Sequence, residues 1–97
     1  MNTIQQTQTF EHWLDAQDKP VQKRVLQRVT RAQAGNFGDS KPVGEGVMEM
    51  RLDFGPGYRL YYTRRGETVY LLLVGGDKST QQKDIERAKD IVRELGD

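Results

Sequence analysis

Met48 to Thr80, MEMRLDFGPGYRLYYTRRGETVYLLLVGGDKST, is the stretch that decides the fold. Met48, Met50 and Leu52 alternate with Glu49, Arg51 and Asp53, the period of a strand with one buried face. Gly55-Pro56-Gly57 turns the chain, after which Tyr58, Leu60 and Tyr62 alternate with Arg59, Tyr61 and Thr63. Arg65-Gly66 suits a tight hairpin turn into Thr68 to Val74, whose nearly continuous apolar run predicts a central strand. With Met48, Met50, Leu52, Leu60 and Tyr62 in the core, alternation places Arg51, Arg59, Tyr61 and also Tyr70 on the opposite face, beside Glu49 and Asp53. Lys78 follows just beyond the last strand.

Outward from this sheet the period becomes helical. A short strand is expected at Thr3 to Thr7, then a helix capped by Thr9 with Phe10, Trp13 and Leu14 on one side. Asp18 followed by Pro20 starts a second helix, whose stripe is Val21, Val25, Val29 and Ala32 and whose outer face carries Lys23, Arg24, Gln27, Arg28 and Arg31; it should stop near Gly35. Ser79 or Thr80 is expected to cap a last helix with Ile85, Ala88, Val92 and Leu95 inward. The chain is therefore expected to be a single α+β domain over residues 1–97: a helical hairpin, a small antiparallel sheet of three strands and a C-terminal helix.

Composition narrows the function. Fifteen basic and fourteen acidic residues leave a formal net charge of +1, so affinity for nucleic acid must come from local clustering. Cysteine is absent and His12 is the lone histidine, a helix-surface residue rather than part of a metal cluster; no metal or cofactor is expected. The opening MNTIQQTQTF has neither a basic start nor an apolar run, and a cytoplasmic protein without membrane contact is expected. Guanidinium groups fit phosphate through a planar, permanently charged fork, and a tyrosine ring stacks on a base, so the Arg51, Arg59, Tyr61 face suits single-stranded RNA. The competing reading is an ordinary solvated sheet face. Tyr58 and Tyr62 read as core residues, and Gly75-Gly76 as a loop without the lysine and hydroxyl of a nucleotide-binding motif.

RLDFGPGYRLYYTRRG, preceded by NFGDSKPVGEGV and followed by LLLVGGDKSTQ, resembles the RelE/ParE superfamily of bacterial toxins, in particular the HigB-like addiction module killer proteins. The resemblance runs from the first helix to the last and implies an N-terminal helical pair on a twisted antiparallel sheet closed by a further helix. It implies the toxin of a type II toxin–antitoxin system, with ribosome-dependent, metal-independent cleavage of messenger RNA. The catalytic set it implies is Arg51, Arg59 and Lys78, with Tyr61 as a stacking surface, while Lys41, Arg64 and Arg65 attract the RNA backbone. Glu49 stands where the RelE pattern has a second lysine, and the last helix lacks that pattern's tyrosine. The implied partners are the ribosome with its message and a helix-turn-helix antitoxin from the adjacent gene, operator DNA being reached only through the antitoxin complex. Gyrase inhibition of the ParE kind, or a toxin remnant acting as a binding partner, are the rival functions the same fold allows.

Overall fold

A computed structural model describes residues 1–96. Its elements are β1 (Thr3–Gln6), α1 (Gln8–Asp15), α2 (Lys19–Gln33), β2 (Ser40–Gly44), β3 (Val47–Arg51), β4 (Arg59–Arg64), β5 (Val69–Gly76), a 3₁₀ turn (Lys78–Thr80) and α3 (Gln81–Leu95). One five-stranded sheet runs in the order β1-β5-β4-β3-β2, with β1 parallel to β5 and the other neighbours antiparallel. The α+β class, the flanking helices and the short strand at Thr3 to Thr7 agree with the expectation; the sheet exceeds it by the edge strand β2, and β1 joins the three antiparallel strands at the other edge. β2 escapes a pattern search because Pro42 and Gly44 interrupt it; the proline is tolerated because β2 is an edge, and the glycine lies at the register shift against β3. β1 is polar, and its pairing with β5, Thr3 opposite Val69 through Gln6 opposite Leu72, is what makes it a strand.

Helices lie on both faces of this sheet. On one, α1 and α2 bury Phe10, Leu14, Val21, Val25 and Ala32 against Met50, Leu52, Leu60, Tyr62 and Leu72. On the other, α3 buries Ala88 and Ile91 against Val47, Tyr61, Leu73 and Val74. A bulge in β5 explains how Leu73 and Val74 share a face: Tyr61 pairs with Val74 but Tyr62 pairs with Leu72. That extra residue also reverses the alternation below it. Tyr70 consequently packs with Phe37 and Tyr62 on the α1/α2 side, ring centroids 4.7 and 6.2 Å away, and not on the Arg59 face where uninterrupted alternation places it.

Asp18 caps α2 as expected, accepting from the Val21 amide at 3.3 Å. The α1 cap is Thr7, two residues before Thr9: its hydroxyl oxygen accepts from the Phe10 amide at 3.0 Å and donates to the Leu73 carbonyl at 2.7 Å, so helix start and central strand are fixed together. Neither Ser79 nor Thr80 gives α3 a side-chain cap. Asp77 caps the preceding 3₁₀ turn through the Ser79 amide, and the Thr80 hydroxyl bonds to Asp84.

Gly75 and Gly76 serve one face each. A Cβ on Gly75 would lie 2.1 Å from Cε3 of Trp13 in α1, and one on Gly76 would lie 1.8 Å from Oδ2 of Asp84 in α3. The indole ring yields less than the carboxylate, so Gly75→Ala is expected to destabilise the fold by about 1–3 kcal/mol through overpacking. Because Trp13 is the sole tryptophan, urea unfolding followed by its fluorescence reads both the lower midpoint and the disturbed ring. An unchanged midpoint would mean that α1 does not rest on Gly75.

Candidate functional site

Strand register builds the site in two rows. Lys41, Glu49, Tyr61 and Val74 face one another across β2, β3, β4 and β5, and one step along, Arg51, Arg59 and Gly76 do the same. Both rows lie on the α3 side of the sheet. The first is covered by α3, so Glu49 and Tyr61 have no exposed surface, whereas the second lies at the margin, beside the 3₁₀ turn.

Glu49 is the hub. Tyr61 donates its hydroxyl proton to Oε2 at 3.0 Å, the Gln81 side-chain amide donates to the same oxygen at 2.9 Å, and Arg51 Nε donates to Oε1 at 3.3 Å. Arg59 Nε lies 3.6 Å from Oε2 and Lys41 Nζ 4.0 Å from Oε1. Burial pushes this carboxyl upward, but the hydrogen bonds from Gln81, Tyr61 and Arg51, with the Arg59 charge, outweigh it and hold Glu49 below the usual carboxylate range. Burial first, and then the Glu49 hydrogen bond and charge, push the Tyr61 hydroxyl far up. Tyr61 is thus a neutral donor locked beneath a helix; the stacking expected of it has no exposed ring to use.

Arg59 is 9% exposed and spends Nη1 on the Gly57 carbonyl at 2.8 Å. Its Nε is the one buried side-chain polar atom among the described residues without a hydrogen-bond partner. That nitrogen faces Glu49 Oε2 at 3.6 Å, an ion pair longer than a hydrogen bond. The β3–β4 loop allows the close approach: Gly57 has φ +77°, and a Cβ there would meet Arg59 Nη1 at 3.3 Å and Lys78 Cβ at 3.5 Å. Arg51, Arg59, Gly57, Tyr58, Leu52, Asp39 and Asp53 line a cleft of about 260 Å³ beside this loop. That is below the roughly 300–1,000 Å³ of a drug-sized site, and suits a single phosphodiester.

Arg51, Arg59 and Lys41 are therefore gathered around one carboxylate. Lys78 is exposed and its backbone abuts the loop, the amide donating to the Pro56 carbonyl at 3.4 Å. Arg64 and Arg65 are elsewhere. They sit at the far end of β4, roughly 17 Å along the strand from Arg59, and Arg64 is tied to the Gly66 and Glu67 carbonyls of the hairpin at 2.8 and 2.9 Å. The organising role of Glu49 and the contribution of Gln81 were missed by sequence reasoning. The signal for Glu49 was present, since alternation alone puts it between Arg51 and Tyr61 on one face.

No helix among the described residues is long and apolar enough to cross a membrane. The chain matches the family model described as "Phage derived protein Gp49-like (DUF891)" over residues 12–95. It is 45% identical over 94 residues to an "Uncharacterized protein" of Haemophilus influenzae (strain ATCC 51907 / DSM 11121 / KW20 / Rd), covering 96% of this chain and 95% of that relative. No solved structure matches it. A match over so much of an α+β domain shows that the chain belongs to the Gp49-like phage-derived family, a toxin-like family related to addiction modules.

Proposed function

We propose that this chain is the toxin of a type II toxin–antitoxin pair, of the HigB-like kind within the RelE/ParE superfamily, and that it cuts ribosome-bound messenger RNA without a metal. The observation that carries the proposal is the cross-strand pair Arg51 and Arg59 at the lip of the cleft, both ion-paired to the one buried carboxylate of Glu49. In the reaction the RNA 2′-hydroxyl attacks its own 3′-phosphate, the P–O5′ bond breaks, a 2′,3′-cyclic phosphate forms, and the 5′-oxygen leaves as a hydroxyl. Charge grows on the phosphate oxygens, where Arg59 and Arg51 donate. Both are permanently charged, and Glu49 holds them in place before substrate arrives, the preorganisation such stabilisation needs.

Proton transfer falls elsewhere. Tyr61 is covered and its hydroxyl is held neutral, so within this chain the role falls to Lys78, exposed and with its backbone against the Gly57 loop, and to ribosomal RNA for the remainder. The antitoxin would be the physiological partner, silencing the chain by occupying this cleft or by preventing ribosome entry.

Induction of the chain in cells, with and without the neighbouring gene, followed by mapping of RNA ends, tests the proposal. The expected result is growth arrest with cuts phased to codons in translated messages, both relieved by the neighbour. Damaged DNA with intact messages would instead assign the chain to gyrase inhibition, and unimpaired growth with folded protein present would make it a remnant.

A further inference from the structure

Charge is distributed unevenly along this chain. α2 carries Lys19, Lys23, Arg24, Arg28 and Arg31 and no acidic residue, which leaves ten basic against fourteen acidic residues everywhere else. By contrast, α3 alternates signs, and its Arg87 and Arg93 are paired with Glu94, Glu45 and Asp90. Among the described residues no α2 cation forms an ion pair. Five cations on one helix without a carboxylate partner repel one another, and such a one-sign stripe raises the local concentration of anions.

The placement of these side chains is orderly. Lys19, Lys23, Gln27, Thr30 and Arg31 border one shallow groove on the outer side of α2, around Leu26, which is 49% exposed. From Lys19 to Arg31 the helix runs roughly 18 Å, long enough to face several phosphates of a duplex, whose strands in B form each carry one charge per about 3.4 Å of helix axis. This surface also continues into the candidate active cleft. Arg24, Arg28 and Arg31 border a second hollow with Leu52 and Asp53, and Leu52 and Asp53 border the Arg51–Arg59 cleft as well. Arg28 makes the joint rigid, since its guanidinium donates to the Arg51 carbonyl and, at 3.2 Å, to the Phe37 carbonyl. Arg24 is steadied over the Phe54 ring, 4.8 Å from its centroid.

We infer that the outer face of α2, centred on Lys19, Lys23 and Arg31, is a docking surface for the phosphate backbone of double-helical RNA. RNA is favoured over DNA by the continuity with the cleft, which rests on the function proposed above, and by Gln27 and Thr30 set between the cations: both suit 2′-hydroxyls, Thr30 as an acceptor since its own proton goes to the Leu26 carbonyl at 3.0 Å. Arg64 and Arg65, at the far hairpin, take no part.

The test uses the full chain and a roughly 16-base-pair RNA duplex, with binding measured across a salt series. Lys23→Glu/Arg31→Glu is compared with Lys83→Glu/Arg87→Glu, an equal charge change on α3. The α2 variant is expected to bind about tenfold more weakly near 0.1 M salt and to flatten the salt slope by roughly 1.8, from about 0.9 per lost phosphate contact. The α3 variant should bind like the wild type. Equal loss in both variants, no loss in either, or no duplex binding by the wild type would overturn the inference. Tighter binding to a DNA duplex of the same sequence, or competition by polyglutamate matching that by RNA, would reassign the face to DNA or to an acidic protein. Message cleavage is scored separately. Duplex binding that depends on α2 without any cleavage would sink the proposed nuclease and leave this surface standing, and the converse result would do the opposite.

Discussion

Glu49→Ala is expected to destabilise the fold by about 3–5 kcal/mol, the range for removing one partner from a buried ionic network. Against a total stability of roughly 5–15 kcal/mol, that is enough to leave much of the protein unfolded. The loss has two parts. Arg59 would remain almost fully buried without its counter-charge, and the covered Tyr61 hydroxyl would lose its acceptor. Arg51 and Lys41 contribute less, because both side chains reach water. Glu49→Gln should fall between wild type and alanine, since its amide oxygen still accepts from Tyr61 but carries no charge. A triple variant, Glu49→Leu/Arg59→Met/Tyr61→Phe, should recover most of the stability while remaining inactive, because it replaces the whole network instead of breaking it. Urea midpoints at neutral pH measure all three, and a wild-type midpoint for Glu49→Ala would refute the buried-hub account.

The same residue sets a pH dependence. Its folded-state pKa is lowered, so its contribution is fully present above the unfolded carboxylate value of about 4.3 and fades as pH falls through the folded value. Glu49→Gln, already lower in stability, should therefore show a flatter acid limb than the wild type. Tyr61 acts at the other end. Its pKa is raised in the folded state, so stability is unaffected below about pH 10, the unfolded value, and declines above it.

How far the sequence determines this site can be judged from three residues. Asp18 was legible because a cap is a local event: one side chain, one amide three residues on, and Pro20 in the first turn. Tyr70 was misread because its face depends on a bulge at Leu73, and a bulge is a property of two strands together. Glu49 was placed on the correct face but judged a misfit, because charge counting along β3 does not reveal that α3 buries the row. Once the row is covered, an uncompensated lysine or arginine at position 49 would face Arg51, Arg59 and Lys41 without water to screen them. Burial thus turns an apparent neutraliser of the basic face into the group that allows its arginines to be held together. The expectation of an open sheet face failed for the same reason: α3 was read as closing the fold, and which rows it closes over depends on register.

Arg59→Ala is expected to slow cleavage of ribosome-bound message by roughly 10²–10³-fold, the effect of removing one well-placed donor from a developing oxyanion. The fold should survive, because Glu49 keeps Arg51, Tyr61, Gln81 and Lys41 around it. Arg59→Lys should not restore the rate. A lysine is a point charge, whereas Arg59 must satisfy the Gly57 carbonyl with Nη1 while keeping its other donors for the phosphate. Arg51→Ala should cost less than Arg59→Ala, since the Arg51 side chain is 41% exposed and bonds in the site to Glu49 alone, so its position before binding is less fixed. Single-turnover cleavage by purified variants, each checked for an unfolding midpoint near wild type, separates lost chemistry from lost fold. Wild-type cutting by well-folded Arg59→Ala would remove Arg59 from the reaction, and with it the reason for placing the phosphate in this cleft.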